Sequence, residues 1–110
     1  MKHFTSLKTT REFNRVYKNS KTVHTQQFVI FYRHVPDEYR VGVVASKKVG
    51  KAVSRNRAKR LLRSHFIQHM EQLKTGHYVL VAKPPLLESE HSLIEHATFK
   101  ALKRLKALKQ

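Results

Sequence analysis

Acidic residues are scarce in this chain, and cysteine is absent. Its 110 residues include 7 Asp and Glu, of which Asp37 is the single aspartate, against 23 Lys and Arg. Without cysteine, disulfides and thiolate metal sites are excluded. A self-sufficient two-metal nuclease centre is disfavoured, because it needs several carboxylates that converge on two cations. A phosphate-cradling loop is also missing, since VGKAVS has one glycine and the wrong spacing.

Long apolar runs are missing as well. No stretch is long enough to span a bilayer, and the N-terminal MKHFTSLKTT lacks the apolar region of a signal peptide. The hydrophobic content of 40% is nevertheless that of a folded protein. We therefore expect a single domain over residues 1–110 that is cytoplasmic, does not bind a membrane and has no obligate protein partner.

Positive charge is what the sequence has in excess. The net charge is +16, and the stretch from Ser46 to Arg63, SKKVGKAVSRNRAKRLLR, holds eight Lys and Arg and no acid. Exposed helix faces usually mix both signs, because opposite charges four residues apart attract each other weakly. An uncompensated run repels itself unless a polyanion binds to it. The alternative is a basic helix that is merely solvated, but the lack of any acid favours a nucleic-acid contact surface.

Hydrophobic periodicity predicts helices and strands in the order α-β-β-α-β-α. Thr9 and Glu12 have the spacing of a capping box and start a first helix, on which Phe13, Val16 and Tyr17 form one apolar stripe. The other predicted elements are a strand over Gln26–His34, its antiparallel partner over Tyr39–Ser46, a helix from the N-cap Ser54 to Gly76, a strand over His77–Lys83 and a helix over Ser89–Lys109. This order predicts a two-layer α/β (α+β) sandwich with one small mixed sheet.

Three further predictions concern the ends and faces of these elements. Residues Met1–Lys8 are predicted to form an irregular basic arm, and Thr22–Thr25 a weak extra strand. The long basic helix is amphipathic, with one side for a core and the neighbouring side for phosphates. The last helix is expected to bury one apolar stripe, formed by Leu93, Ile94, Ala97, Ala101, Leu102, Leu105 and Leu108.

The eight histidines suggest other kinds of chemistry. His65 and His69, four residues apart within HFIQH, have the spacing of a helical zinc pair, but the glutamate of a metalloprotease helix is missing. A pair of acid–base histidines, as in metal-independent ribonucleases, is compatible with the composition, although no nucleophile or oxyanion element accompanies it. DNA binding by a helix-turn-helix fits poorly, because the basic helix follows a strand and a loop.

The basic stretch resembles the signature of the protein subunit of bacterial ribonuclease P. The family pattern R-N-R-x-K-R-L-x-R is met by Arg55, Asn56, Arg57, Lys59, Arg60, Leu61 and Arg63. The aromatic helix LKTTREFNRVYKNS, the strands QFVIFYR and RVGVVASKKVG, and the segment YVLVAKPP follow in the order of the family. The resemblance therefore spans nearly the whole chain and rests on a long motif.

The resemblance implies a division of labour in which a large RNA holds the catalytic centre and the protein binds that RNA and precursor tRNA. It assigns contact with the catalytic RNA to Lys47, Lys48, Lys51, Arg55, Asn56, Arg57, Lys59, Arg60 and Arg63. It also implies a cleft for the single-stranded 5′ leader, with Phe13 and Tyr17 at its aromatic positions and Val29 and Phe31 on its floor. Unpaired bases stack on such rings with little regard to sequence. A left-handed β-α-β crossover, against the general preference, is implied as well.

The predicted function is therefore that of the RNA-binding subunit of ribonuclease P, an endoribonuclease that hydrolytically removes the 5′ leader of precursor tRNA. No catalytic residue is expected in the protein. The cofactor would be Mg²⁺, held mainly by the RNA, and the protein would strengthen the binding of substrate and Mg²⁺. The alternative is a structural RNA-binding protein, such as a ribosomal protein or an RNA chaperone, which shares the charge but needs no aromatic cleft.

Overall fold

The computed structural model describes residues 4–109, which form five strands, three α-helices and three short 3₁₀ turns. The strands are β1 (Thr5–Ser6), β2 (Lys21–His24), β3 (Phe28–Arg33), β4 (Tyr39–Ala45) and β5 (Gly76–Ala82). The helices are α1 (Thr10–Lys18), α2 (Ala52–Ile67) and α3 (His91–Arg104). The 3₁₀ turns are Lys47–Val49, Met70–Gln72 and Pro84–Glu88. The predicted α+β class with one mixed sheet is confirmed, and none of the described helices has the length and apolar character that crossing a bilayer requires.

The sheet has the strand order β1-β4-β5-β3-β2. The predicted antiparallel pairing of β3 with β4 is wrong, because β5 lies between them, antiparallel to β3 and parallel to β4. Both faces of β5 are largely buried, which suits an apolar strand at the centre of a sheet. The connection from β4 through α2 to β5 is the β-α-β crossover, whose left-handed sense stays a prediction.

The N-terminal segment joins the sheet instead of forming an irregular arm. β1 pairs in parallel with β4, with Thr5 opposite Arg40, and Leu7 is only 6% exposed. The predicted arm is therefore wrong from Thr5 onward, while residues 1–3 lie outside the described part of the chain. The weak extra strand is confirmed as β2, which pairs antiparallel with β3 at the opposite edge of the sheet.

Local capping signals predicted one helix start correctly and one wrongly. The capping box of Thr9 and Glu12 starts α1, as predicted. By contrast, α2 begins two residues before Ser54, with Lys51 at its N-cap and no side chain capping it. Gly76 does not end this helix but begins β5, where its φ of +147° and its approach to the carbonyl of Arg33 exclude a Cβ atom.

The two faces of the sheet are covered by different helices. α2 and α3 cover one face and enclose the main core, which includes Phe28, Phe66 and Tyr78. α1 covers part of the other face and packs on a smaller cluster around Val16. The apolar stripe predicted for α3 is buried except at Leu93, which is 54% exposed, and Ala97 and Leu108, which are half-buried. The prediction for Leu93 is wrong because this side chain lines an open groove at the β2 edge together with Val23 and His24.

Candidate nucleic-acid interface

The first helix is fixed on the sheet by a polar network around Glu12. Its Oε1 accepts hydrogen bonds from the backbone N–H groups of Lys8 (3.1 Å) and Thr9 (3.0 Å), while Oε2 pairs with Nη1 of Arg40 on β4 at 2.8 Å. The hydrogen bonds from Lys8 and Thr9, together with the charge of Arg40, lower the pKa of Glu12, so the carboxylate is charged at neutral pH. The start of α1 is therefore held against β4.

The aromatic side chains of α1 rest on the sheet beneath the helix. Phe13 lies against Gly42 of β4, where an added Cβ atom would overlap the ring. Tyr17 meets Phe31 of β3 edge-on, with 4.9 Å between ring centroids, and lies 6.4 Å from Phe13. Phe13 and Phe31 are half-buried, whereas Tyr17 is 39% exposed. The structure thus brings three of the four predicted cleft side chains together, with Tyr17 the most accessible.

A row of side chains from four strands lies on the same face of the sheet as α1. In this row, Val44 of β4 pairs with Val81 of β5, and Val81 pairs in turn with Val29 of β3. The row ends at β2, where His24 pairs with Val29. Val44 and Val81 are half-buried and His24 is exposed, but the predicted floor residue Val29 is only 9% exposed. The accessible floor therefore includes Val44 and Val81, which strand alternation alone would have placed on this face.

The basic stretch begins at one end of this row, since Lys47 follows Val44 by three residues. All nine predicted RNA contacts lie on the Lys47–Val49 turn, on α2 or between them. None of the nine forms a salt bridge within residues 4–109, so their charge is uncompensated there. The exposed members are Lys47, Lys48, Lys51, Asn56, Arg57 and Arg60, and the half-buried ones are Arg55, Lys59 and Arg63.

One of the predicted contacts has a structural role. Nη1 of Arg55 donates a hydrogen bond to the carbonyl of Gly50 at 2.7 Å, which closes the loop between the 3₁₀ turn and α2. Oγ of Ser46 accepts from the N–H of Lys48 at 3.2 Å at the start of that turn. The first turn of α2 has no acidic residue and no side-chain cap, so its N–H groups add to the attraction for anions.

The two histidines predicted as a helical pair share a carboxylate, with His65 on α2 and His69 two residues beyond its end. His65 Nδ1 and His69 Nε2 hydrogen-bond to the two oxygens of Glu95 on α3, at 3.0 and 2.6 Å, and His65 Nε2 lies 3.1 Å from His91 Nδ1. Partial burial acts to raise the pKa of Glu95, but the hydrogen bonds and charges of His65 and His69 outweigh it and lower the pKa. This cluster therefore joins α2 to α3.

The carboxylates of this chain do not fit a protein-held Mg²⁺ site. Within residues 4–109, no group of three or more His, Asp or Glu side chains is arranged to hold a metal ion. Glu12 pairs with Arg40, Glu38 pairs with Arg40 and His77, and Glu95 pairs with histidines. These three acids already have cationic partners.

Comparison with known proteins decides the family. The sequence model of the family described as Ribonuclease P matches residues 1–106. The chain belongs to the ribonuclease P protein family. The ribonuclease P protein component of a Nitratiruptor species is 52% identical over 110 residues, which cover 99% of each chain. That of Halalkalibacterium halodurans is 36% identical over 112 residues, covering 98% of this chain and 93% of the relative.

Solved structures of this family have the same fold. The RNase P protein of Staphylococcus aureus superposes with a TM-score of 0.84 at 28% identity, over 97% of this chain and all of the other. The RNase P protein of Thermotoga maritima gives a TM-score of 0.72 at 28% identity, over 92% of this chain and 94% of the other. The resemblance found in the basic stretch is thus confirmed at the level of family and fold.

Proposed function

We propose that this chain is the protein subunit of a ribonuclease P that removes the 5′ leader of precursor tRNA, with the catalytic centre in a partner RNA. Membership of the family makes the chain an RNA-binding component of a ribonucleoprotein that processes tRNA. Residues 1–110 act as one domain, and the complex works in the cytoplasm. The observation that supports the finer proposal is a partly exposed row of apolar side chains that ends beside an uncompensated basic segment.

The basic segment supplies the contact with the catalytic RNA. Its exposed side chains on the turn and on α2 project positive charge that no acid within the described residues neutralises. Guanidinium groups such as those of Arg57 and Arg60 can bind phosphate oxygens in pairs. Each phosphate neutralised releases counterions, so the affinity for RNA falls steeply as salt rises.

The cleft beside α1 supplies the contact with the leader. Tyr17 offers a ring face at the rim, and the half-buried Val44 and Val81 offer an apolar floor. Single-stranded RNA is bound in this way elsewhere, by stacking of bases on aromatic rings within a positive groove. The leader then lies next to Lys47, at the end of the cleft that faces the catalytic RNA.

The protein's contribution is positional and electrostatic. It holds the leader and screens phosphates, and thereby strengthens the binding of substrate and Mg²⁺ by the RNA. In this proposal, the Mg²⁺ ions are held mainly by RNA phosphates. No side chain of the protein is required to attack or protonate the scissile bond.

The direct experiment is precursor-tRNA cleavage at low Mg²⁺ with a bacterial catalytic RNA alone, the protein alone, and both together. We expect only the mixture to cut at the mature 5′ end. If the protein never improves on the RNA alone, it is a general RNA binder such as a ribosomal protein. Cleavage by the pure protein in EDTA would instead assign the chemistry to its histidines.

A matched pair of variants then tests the basic segment. Arg57→Gln/Arg60→Gln should weaken binding of the catalytic RNA and make the plot of log affinity against log salt shallower by about 1.8, at about 0.9 per lost phosphate contact on a duplex. Lys74→Gln/Lys109→Gln removes the same charge from exposed positions away from α2. Equal effects of the two variants would show that net charge matters and the segment does not.

A further inference from the structure

A second groove lies at the β2 edge of the sheet, between that strand and α3. It has a volume of about 310 Å³. The α3 side chains that face it recur at helical spacing, and one of them, Leu93, is 54% exposed. Its lining includes His24 of β2 and, on α3, Leu93, Lys100 and Arg104.

The groove combines apolar surface with positive charge. Its ten lining residues include Lys100, Arg104 and two histidines but no carboxylate. Neither Lys100 nor Arg104 forms a salt bridge with any described residue. Glu95, on the same helix, instead pairs with His65 of α2 and with His69, which follows that helix. Phosphates beside unpaired bases or riboses have the matching chemistry, which is that of single-stranded RNA.

The groove meets the row of the proposed leader cleft at His24, although the groove opens on the α3 side of the sheet. The row that starts at Val44 crosses the sheet through Val81 and Val29 and ends at His24. His24 also lines the groove. Because the other end of the row adjoins Lys47, a strand laid along it runs from the basic segment to the β2 edge. An RNA strand that turns around this edge reaches the groove on the α3 side.

We propose that the groove between β2 and α3 binds the upstream part of the 5′ leader, beyond the nucleotides held in the cleft. Lys100 and Arg104 contact its phosphates, and Leu93 packs against a base or ribose. This proposal rests on the proposed leader cleft. It makes the groove a sensor of leader length, since only leaders that cross the sheet reach it.

The test compares precursor tRNAs whose leaders are lengthened one nucleotide at a time, bound to the complex of protein and catalytic RNA. For the parent, affinity should rise with leader length and then level off. The variant Lys100→Gln/Arg104→Gln should bind precursors with short leaders as tightly as the parent does. Its affinity should stop rising at a shorter leader length than that of the parent. With the longest leaders, its salt dependence should be shallower by about 1.4, since each phosphate of a single strand contributes about 0.7.

The control is Lys103→Gln/Lys109→Gln, which removes the same charge from residues that line a different hollow, around Lys74. It should behave as the parent at every leader length. Equal weakening of the groove variant at all lengths would overturn the proposal. So would weaker binding of the catalytic RNA alone, which would assign the groove to that RNA. If the affinity of the groove variant depends on leader length as that of the parent does, the proposal is also wrong. The groove would then be a site for a protein partner instead.

Failure of the groove and failure of the cleft give different results. If the parent gains affinity with leader length and Tyr17→Ala removes that gain while Lys100→Gln/Arg104→Gln does not, only the groove assignment is wrong. If the parent shows no dependence on leader length, the cleft assignment is wrong and the groove assignment fails with it.

Discussion

The two faces of the sheet are built from alternate side chains of the same strands, yet they are covered to different extents. On one face, α2 and α3 have 16 and 14 residues and leave Ile30 and Leu80 with no exposed surface. On the other face, α1 has 9 residues and leaves Val44 and Val81 half-buried. The short helix covers one row of side chains and leaves Val44 and Val81 of the next row partly exposed.

This difference separates stability from binding. Complete burial of large apolar side chains provides most of the stability of a small domain. A partly covered face contributes less stability and keeps apolar surface available to a ligand. We call the face covered by α2 and α3 the closed face, and the face partly covered by α1 the open face. Substitutions on the closed face should change the free energy of unfolding, and substitutions on the open face should change the affinity for the leader.

The largest loss of stability should come from a substitution on the closed face. Phe66 has no exposed surface and packs its ring against Phe4 and Tyr78, with centroids 5.4 and 5.1 Å away. Phe66→Ala should lower the free energy of unfolding by about 3–5 kcal/mol, whereas Tyr17→Ala should lower it by less than about 1 kcal/mol. Urea denaturation measures both. Equal losses would mean that the open face is part of the core.

An intermediate effect should come from Gly42, where the open face meets α1. A Cβ atom at this position overlaps the Phe13 ring, so Gly42→Ala should lower the free energy of unfolding by about 1–3 kcal/mol. Adding Phe13→Leu should recover part of that loss, because the smaller side chain gives the new methyl group room. If the second substitution adds to the loss instead, the contact between Phe13 and β4 does not position α1.

The smallest effect should come from the polar contact between the helices of the closed face. The pKa of Glu95 is lowered, so it contributes stability above the ordinary value of 4.5, and this contribution is lost as pH falls through the lowered pKa. Glu95→Gln should lower the free energy of unfolding by about 1 kcal/mol at neutral pH, and the difference should shrink on acidification below 4.5.

Urea denaturation across this pH range measures that difference. The control is Glu71→Gln, which removes the same charge from an exposed glutamate of the Met70–Gln72 turn that forms no salt bridge with any described residue. A loss for Glu95→Gln that stays the same at every pH would contradict the assignment of Glu95 as the charged partner of His65 and His69.

Features that depend on neighbours along the chain were predictable from the sequence. The capping box at Thr9 and the acid-free basic stretch are both local patterns, and the first is present in the structure as predicted. Pairing between distant strands was not predictable, because β5 enters between β3 and β4 only after the α2 crossover. β1 escaped notice because two residues carry too little pattern to be recognised as a strand.

The site was predictable only in part, because some of its features are local in the sequence and others depend on strand pairing. The motif gave the basic side chains and the aromatic positions, but the floor of the cleft depends on register. Only the pairing of Val44 with Val81, and of Val81 with Val29, shows which side chains lie in one row. Likewise, the helical period assigned Leu93 to a core stripe, whereas its exposure follows from where α3 ends up relative to β2.

The most direct test of the account is the leader-dependent affinity of the Tyr17→Ala variant. It compares long-leader and short-leader precursor tRNA bound to the reconstituted complex, for the parent and the variant. We predict that the parent prefers the long leader and that the variant loses about five- to 150-fold of that preference, the range for one stacked base at about 1–3 kcal/mol. Its affinity for the catalytic RNA should not change. A parent indifferent to leader length, or a variant that keeps the full preference, would contradict the open face as the leader site.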